Sequence, residues 1–201
     1  DGLPAPENTS PSARWLYPDP RAYQHGVDLV PLPDGTFYLI WASSGNPPTG
    51  PDDRGHWTHD VYASHIDPAN PVIRPTLLFA NAEAQEPASA AITPHGRIMV
   101  TVEDGYQPEH VIAQRYGVYD LDLDPVRAYP QMIYDGGHTG QVAAVGERLV
   151  VFHSEDWNET LASGDNVLAH VYDGDGARQA TYKIAWGIET HDGLPVVAGS
   201  E

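Results

Sequence analysis

HTGQVAAVGERLVVFHSED, residues 138–156, decides the fold. Two short apolar runs, GQVAAV and RLVVF, flank a tight turn at Gly146, and polar residues follow each end. Apolar runs this short, rich in β-branched residues and joined through a glycine, read as an antiparallel hairpin. Working outward, LAHVYDGDG from Leu168 and ATYKIAWG from Ala180 follow as a third and a fourth run. The same order occurs earlier in the chain. HGVDLVPL, TFYLIWASS, HDVYASHID and PTLLFANA begin at His25, Thr36, His59 and Pro75. EPASAAIT, RIMVTVEDG, AQRYGVYDLD and PQMIYDGG begin at Glu86, Arg97, Ala113 and Pro130. A fourth unit opens with HDGLPVVA at His191. Four strands per unit at a period of roughly 50–60 residues is the pattern of a β-propeller blade.

The expected architecture is therefore all-β, with four-stranded antiparallel blades at about 25–80, 86–135 and 138–186, and the first strand of a fourth from 191. Residues 1–22, rich in proline and polar groups, are expected to form an arm or a strand that closes the last blade, ahead of a partial propeller over 23–201. Propellers usually have four to eight blades. An inner strand without its neighbour also exposes an edge. The remaining blades are thus expected from a further segment or from a second chain. PDG at 33–35 and PHG at 94–96 are read as hairpin turns, as is DGDG at 173–176. Phe37, Leu39, Ile98, Val100, Leu149 and Val151 are expected between blades, with Trp41 and Trp186 within strands.

Composition narrows the function. The formal net charge is −18, with Lys183 as the single lysine. A nucleic-acid binder and an anionic-membrane binder both need the opposite sign, so neither partner is expected. No apolar run reaches the length of a membrane span. There is no cysteine, and no phosphate loop, dinucleotide fingerprint or GxSxG.

In a propeller the innermost strand of each blade starts on the face that usually holds the site. His25, Glu86, His138 and His191 occupy those starts. The loops between second and third strands on that face carry Trp57, Tyr106 and Trp157. His138 begins the first strand of its blade and His153 ends the second, so antiparallel pairing brings the two ends side by side. Imidazole near its ordinary pKa of about 6.5 exchanges protons at neutral pH, which suits acid–base catalysis. Trp57 and Trp157 are flat amphipathic groups suited to stacking on sugar rings.

GGHTGQVAAVGERLVVFHSED, residues 136–156, resembles the glycine–histidine, strand, turn, strand, histidine pattern of sialidase-like and BNR-like propellers of carbohydrate-active enzymes, the propeller ulvan lyases among them. The resemblance implies a polysaccharide lyase or glycosidase, acting on an oligo- or polysaccharide outside the cytoplasm, secreted or periplasmic. It implies β-elimination by paired histidines with a tyrosine and an arginine. His138 and His153 match the histidines by position, and Tyr106 and Arg115 correspond to the other two. The sialidase Asp-box SxDxGxTW is absent and no three-arginine clamp assembles, which argues against sialidase activity itself.

Two other readings use the same face. His25, His138, His191 and Glu86 form a donor set for one divalent ion on the axis, a transition metal or calcium, whereas the acid–base reading needs no cofactor. The third reading is a rigid platform that binds glycan or protein and turns over nothing.

Overall fold

The computed structural model describes residues 24–43, 59–80, 85, 88–105, 112–158 and 163–185; for 24–26, 138–139, 156–158, 163–165 and 185 it describes the backbone alone. Residues 1–22, Trp186 and the unit begun at His191 lie outside the described residues.

Twelve strands form three four-stranded antiparallel sheets, each in sequential order. Blade one contains β1 (Gln24–Pro31), β2 (Phe37–Ser43), β3 (Asp60–Ile66) and β4 (Thr76–Phe79). Blade two contains β5 (Ser89–Ile92), β6 (Ile98–Asp104), β7 (Ala113–Tyr119) and β8 (Pro125–Asp135). Blade three contains β9 (His138–Val145), β10 (Arg148–Asn158), β11 (Ser163–Tyr172) and β12 (Arg178–Ala185). Strand β5 lies beside β1 on one side and β9 on the other, so the first strands form the inner row of a partial propeller.

The repeat is visible in its turns. At 32–36, 93–97, 120–124 and 173–177 the fourth residue donates its N–H to the first carbonyl, and the first N–H donates to the fifth carbonyl. That hairpin form places its fourth residue in the left-handed region. Gly35, Gly96 and Gly176 take it at φ of 85°, 78° and 81°, and Leu123 takes it at 64°. Leu123 keeps its place by packing on the blade one–two core. DGDG is thus a hairpin turn, and DLDLD at 120–124 is its counterpart in blade two. These turns mark the lower end of the blades. There Leu32, Thr93 and Ala144, one residue from each blade, line a cavity of about 370 Å³ between the inner strands.

The core is two seams rather than one ball. Ile40, Val61 and Ala63 of blade one meet Ile98, Val100 and Val102 of blade two. Met99, Tyr116 and Val118 on the other side of blade two meet Leu149, Val151 and Tyr172 of blade three. Alternate residues of a middle strand therefore serve different seams, as the period of two demands. In β2 the phase differs from the sequence expectation. Tyr38 and Ile40 enter the blade one–two seam, while Phe37 and Leu39 are only half-buried. A strand covered on both sides is apolar in both phases, so composition alone does not say which residues face which neighbour.

Candidate functional site

The upper end of the blades holds the starts of β1, β5 and β9 and the ends of β2, β6 and β10. Strand β6 ends there in two acidic residues, Glu103 and Asp104, 1% and 5% exposed. They point to opposite sides of blade two, and each side has its own polar group.

On the blade one side, Arg115 Nε lies 2.7 Å from Asp104 Oδ2. Gln85 Nε2 donates to Asp104 Oδ1 at 3.2 Å. Gln85 also donates its backbone N–H to the His59 carbonyl at 2.8 Å and bridges to Asp104 in the ladder. The Tyr129 hydroxyl donates to Asp104, and burial, reinforced by that carboxylate, pushes the phenol far above its ordinary range. Tyr129 lies flat on Phe79, with ring centroids 4.0 Å apart. Asp104 thus accepts from Gln85 and Tyr129 and pairs its charge with Arg115, which it holds in place.

On the blade three side, Glu103 stands opposite Gln114 in the β6–β7 ladder. Gln114 Oε1 accepts from the Gly140 N–H at 2.8 Å, and Thr101 Oγ1 donates to the Gly140 carbonyl at 3.0 Å. Gly140 is therefore fixed at both its backbone groups. A Cβ there would stand 2.6 Å from Gln114 Oε1, so a larger residue would displace that amide from its bond. Gln114 Nε2 is buried and has no hydrogen-bond partner among the described residues. This arrangement fixes β9 just beyond His138, at its first residue.

His153 is 1% exposed and points into the blade two–three seam. Its Nδ1 lies 2.5 Å from the Ser154 carbonyl, and its Nε2 lies 2.8 Å from Nε2 of His170. The two rings are nearly coplanar, 10° apart, with Tyr134 of blade two on His153 at 5.0 Å. Burial holds His153 down to about 4 and His170 to about 3, so both are neutral at pH 7. The nitrogens meet head to head. Two nitrogens about 2.0–2.1 Å from one metal ion stand about 3.3 Å apart at a tetrahedral angle and further apart at wider angles, so no ion fits between these two. Among the described residues no group of three or more His, Asp or Glu could hold a metal ion.

The sequence-derived residues are placed as follows. The backbone of His138 pairs with Ser154, next to His153. Arg115 lies in the blade one–two seam and His153 in the blade two–three seam, so blade two stands between them. Tyr106, Glu86, Trp57 and His191 lie outside the described residues, as do the side chains of His25, His138 and Trp157. Gln85, Gln114, Tyr134 and His170 escaped the sequence reading. Gln114 and His170 carried a signal: each alternates with residues of the buried phase, Tyr116 and Val118 in one strand, Leu168 and Tyr172 in the other. A polar residue in a core phase calls for a partner. A cavity of about 710 Å³, lined by Tyr38, His65, Arg74 and Asp122 among others, opens near the lower end, away from these groups.

No protein-family model matches the chain, and neither does any curated protein sequence. Solved structures do match. A protein of unknown function from Dyadobacter fermentans is 9% identical over 84% of this chain and 56% of its own, with a TM-score of 0.62. A structure described under the GH130 family of mannoside phosphorylases, containing glycoside hydrolases that target β-1,2-mannosidic linkages in Candida mannan, is 12% identical over 79% of this chain and 48% of its own, with a TM-score of 0.50. A glycosyl hydrolase from Bacteroides ovatus is 12% identical over 78% of this chain and 51% of its own, with a TM-score of 0.48. The chain spans about half the length of these structures. At such identities the likeness is one of fold: this chain shares the arrangement of blades with the first two.

Proposed function

We propose that the protein is a carbohydrate-active enzyme that cleaves an oligo- or polysaccharide at the upper end of its blades, with His138 as the proton-transfer group. The observation that carries this reading is the fixing of Gly140 by Gln114 and Thr101. It anchors the strand that begins with His138 to blade two through both backbone groups of Gly140, and a catalytic group needs such a rigid support. The likeness to a structure described among glycoside hydrolases supports the substrate class.

In the elimination form, His138 removes the C5 proton α to a uronic carboxylate. The released electron pair forms the C4=C5 double bond, the C4–O bond breaks, and Tyr106 gives the leaving oxygen its proton. Arg115, held by Asp104 and still 29% exposed, pairs with the substrate carboxylate. Trp57 and Trp157 stack on sugar rings, and His25, Glu86 and His191 line the face. His153, with both nitrogens engaged, supports the end of β10 from behind as a positioning residue.

The test is incubation with neutral and uronic-acid polysaccharides, following both new reducing ends and the ultraviolet absorbance of a conjugated double bond. Both signals together indicate elimination, and reducing ends alone indicate hydrolysis. Either signal should vanish in His138→Ala with the fold retained. Full activity in that variant, or no turnover of any glycan, overturns the reading.

A further inference from the structure

The blade two–three seam contains a hydrogen-bonded chain with one direction. Thr181 Oγ1 lies 2.8 Å from His170 Nδ1, and the two Nε2 atoms of His170 and His153 lie 2.8 Å apart. His153 Nδ1 then reaches the Ser154 carbonyl at 2.5 Å. Only the carbonyl has no choice of role, since it must accept. His153 therefore carries its hydrogen on Nδ1 and leaves Nε2 as an acceptor. His170 must donate from Nε2, and its Nδ1 accepts the Thr181 hydroxyl.

The two imidazoles respond differently to a further proton. On His170 it goes to Nδ1, and Thr181 can turn its hydroxyl to accept. On His153 it can go only to Nε2, which sets two N–H groups head to head. Every packed element bears on that charge. Tyr134 from β8 covers the ring, and Glu155 favours the charge from β10. Glu155 is itself engaged by the Tyr134 hydroxyl at 3.2 Å and the Asn166 amide of β11 at 3.0 Å. Arg178 of β12 opposes the charge. Burial outweighs these effects and opposes it too.

The far end of the chain matters for position. Ser154, whose carbonyl His153 holds, is the ladder partner of His138. The Gly136–Gly137 connection into blade three crosses over the same bond. A Cβ on Gly137 would stand 2.3 Å from the Ser154 oxygen and 2.9 Å from His153 Nδ1.

We propose that the Thr181–His170–His153–Ser154 chain is an acid-released latch within blade three that pins the start of β9 and the end of β10, and that protonation of His153 frees that end while the rest of the blade stays paired. The latch does not depend on the carbohydrate reading and holds for a binding platform equally.

The experiment is NMR of the full chain with labelled histidine. At neutral pH, His153 should be the neutral Nδ1–H tautomer and His170 the neutral Nε2–H tautomer. Amide exchange at Gly137, His138 and Ser154, corrected for intrinsic rate, should then speed up about 25-fold from about pH 7.5 to about pH 5. The factor follows from an open-state pKa of about 6.5 and a closed one of about 4, with most of the rise below pH 6.5. Exchange at Ile98 and Val100 should not follow it. His153→Gln should remove the acid response. An Nε2–H or charged His153 at neutral pH overturns the proposal, and so does an unchanged acid response in His153→Gln. If that variant does not fold, the tautomer of His153 in the natural sequence decides alone.

Discussion

The two seams of the partial propeller use the same strands in different ways. Between blades one and two the contact is mostly apolar and the directed links among the described residues are fewer: Asp28 accepts from the Ala90 N–H and the Ser89 hydroxyl, Tyr38 reaches the Leu121 carbonyl, and the Asp104 centre with Arg115, Gln85 and Tyr129 closes the upper end. Between blades two and three polar links run from top to bottom. Gln114 and Thr101 hold Gly140, Tyr116 reaches the Gly176 carbonyl, Arg178 reaches the Ile133 carbonyl, and Arg97 pairs with Asp175. The difference teaches where geometry is specified. Apolar packing tolerates rearrangement at small cost, whereas a set of directed hydrogen bonds fixes one arrangement. Strand β9, which begins with His138, stands on the specified side.

If the seams differ only in their polar links, their apolar parts should respond alike. Ile98→Ala in the first seam and Leu149→Ala in the second should each cost about 2–5 kcal/mol, since both are fully buried. Denaturant unfolding measures both. A much smaller loss for Leu149→Ala would mean that the polar links, not packing, carry the second seam. Asp104→Ala comes next, at about 3 kcal/mol, because it strands the donors of Arg115, Gln85 and Tyr129 in a buried place. Arg115 keeps some contact with water, which holds the loss toward the lower end. A neutral Asp104→Ala would show that water already serves those donors.

The blades were legible because their signals are local. The first hairpin of each blade carries its glycine, and the four-run order recurs, so Gly35 and Gly96 mark the same turn in two copies. The phase within a blade was legible only in part. In β6 Ile98 and Val100 face blade one and Met99 faces blade three, yet all three are apolar and fully buried. Partners across a seam were not legible at all. Gln114 meets Gly140 through the stacking of two blades, whereas His170 meets His153 diagonally across the β10–β11 ladder of one blade. His153 shows the limit clearly. Its position at a strand end suggested an acid–base group at the mouth of the channel, but it continues the buried phase of Leu149 and Val151, which places it in the seam, against a second histidine.

The smaller effects sharpen the comparison further. Tyr38 and Tyr116 are cross-seam counterparts, with hydroxyls donating to the Leu121 carbonyl at 2.8 Å and the Gly176 carbonyl at 2.7 Å. Tyr38→Phe and Tyr116→Phe should each cost about 1 kcal/mol, with Tyr116→Phe the larger because its bond is buried and leaves a carbonyl without a donor. Equal losses would mean that water reaches both carbonyls. Arg97→Ala is the smallest case. Its guanidinium bonds Asp175 at 2.8 Å across the lower end of the second seam, with the aspartate mostly in solvent. An exposed pair of this kind is worth at most about 0.5–1 kcal/mol and is weakened by salt. Thermal unfolding of Arg97→Ala at low and high salt should show a loss in the first condition that disappears in the second. A loss that persists at high salt would assign Arg97 a packing role instead: its Cβ and Cγ lie within 4.0 Å of where a side chain on Gly174 would begin, and the aliphatic stem would then be what closes the lower end of the seam.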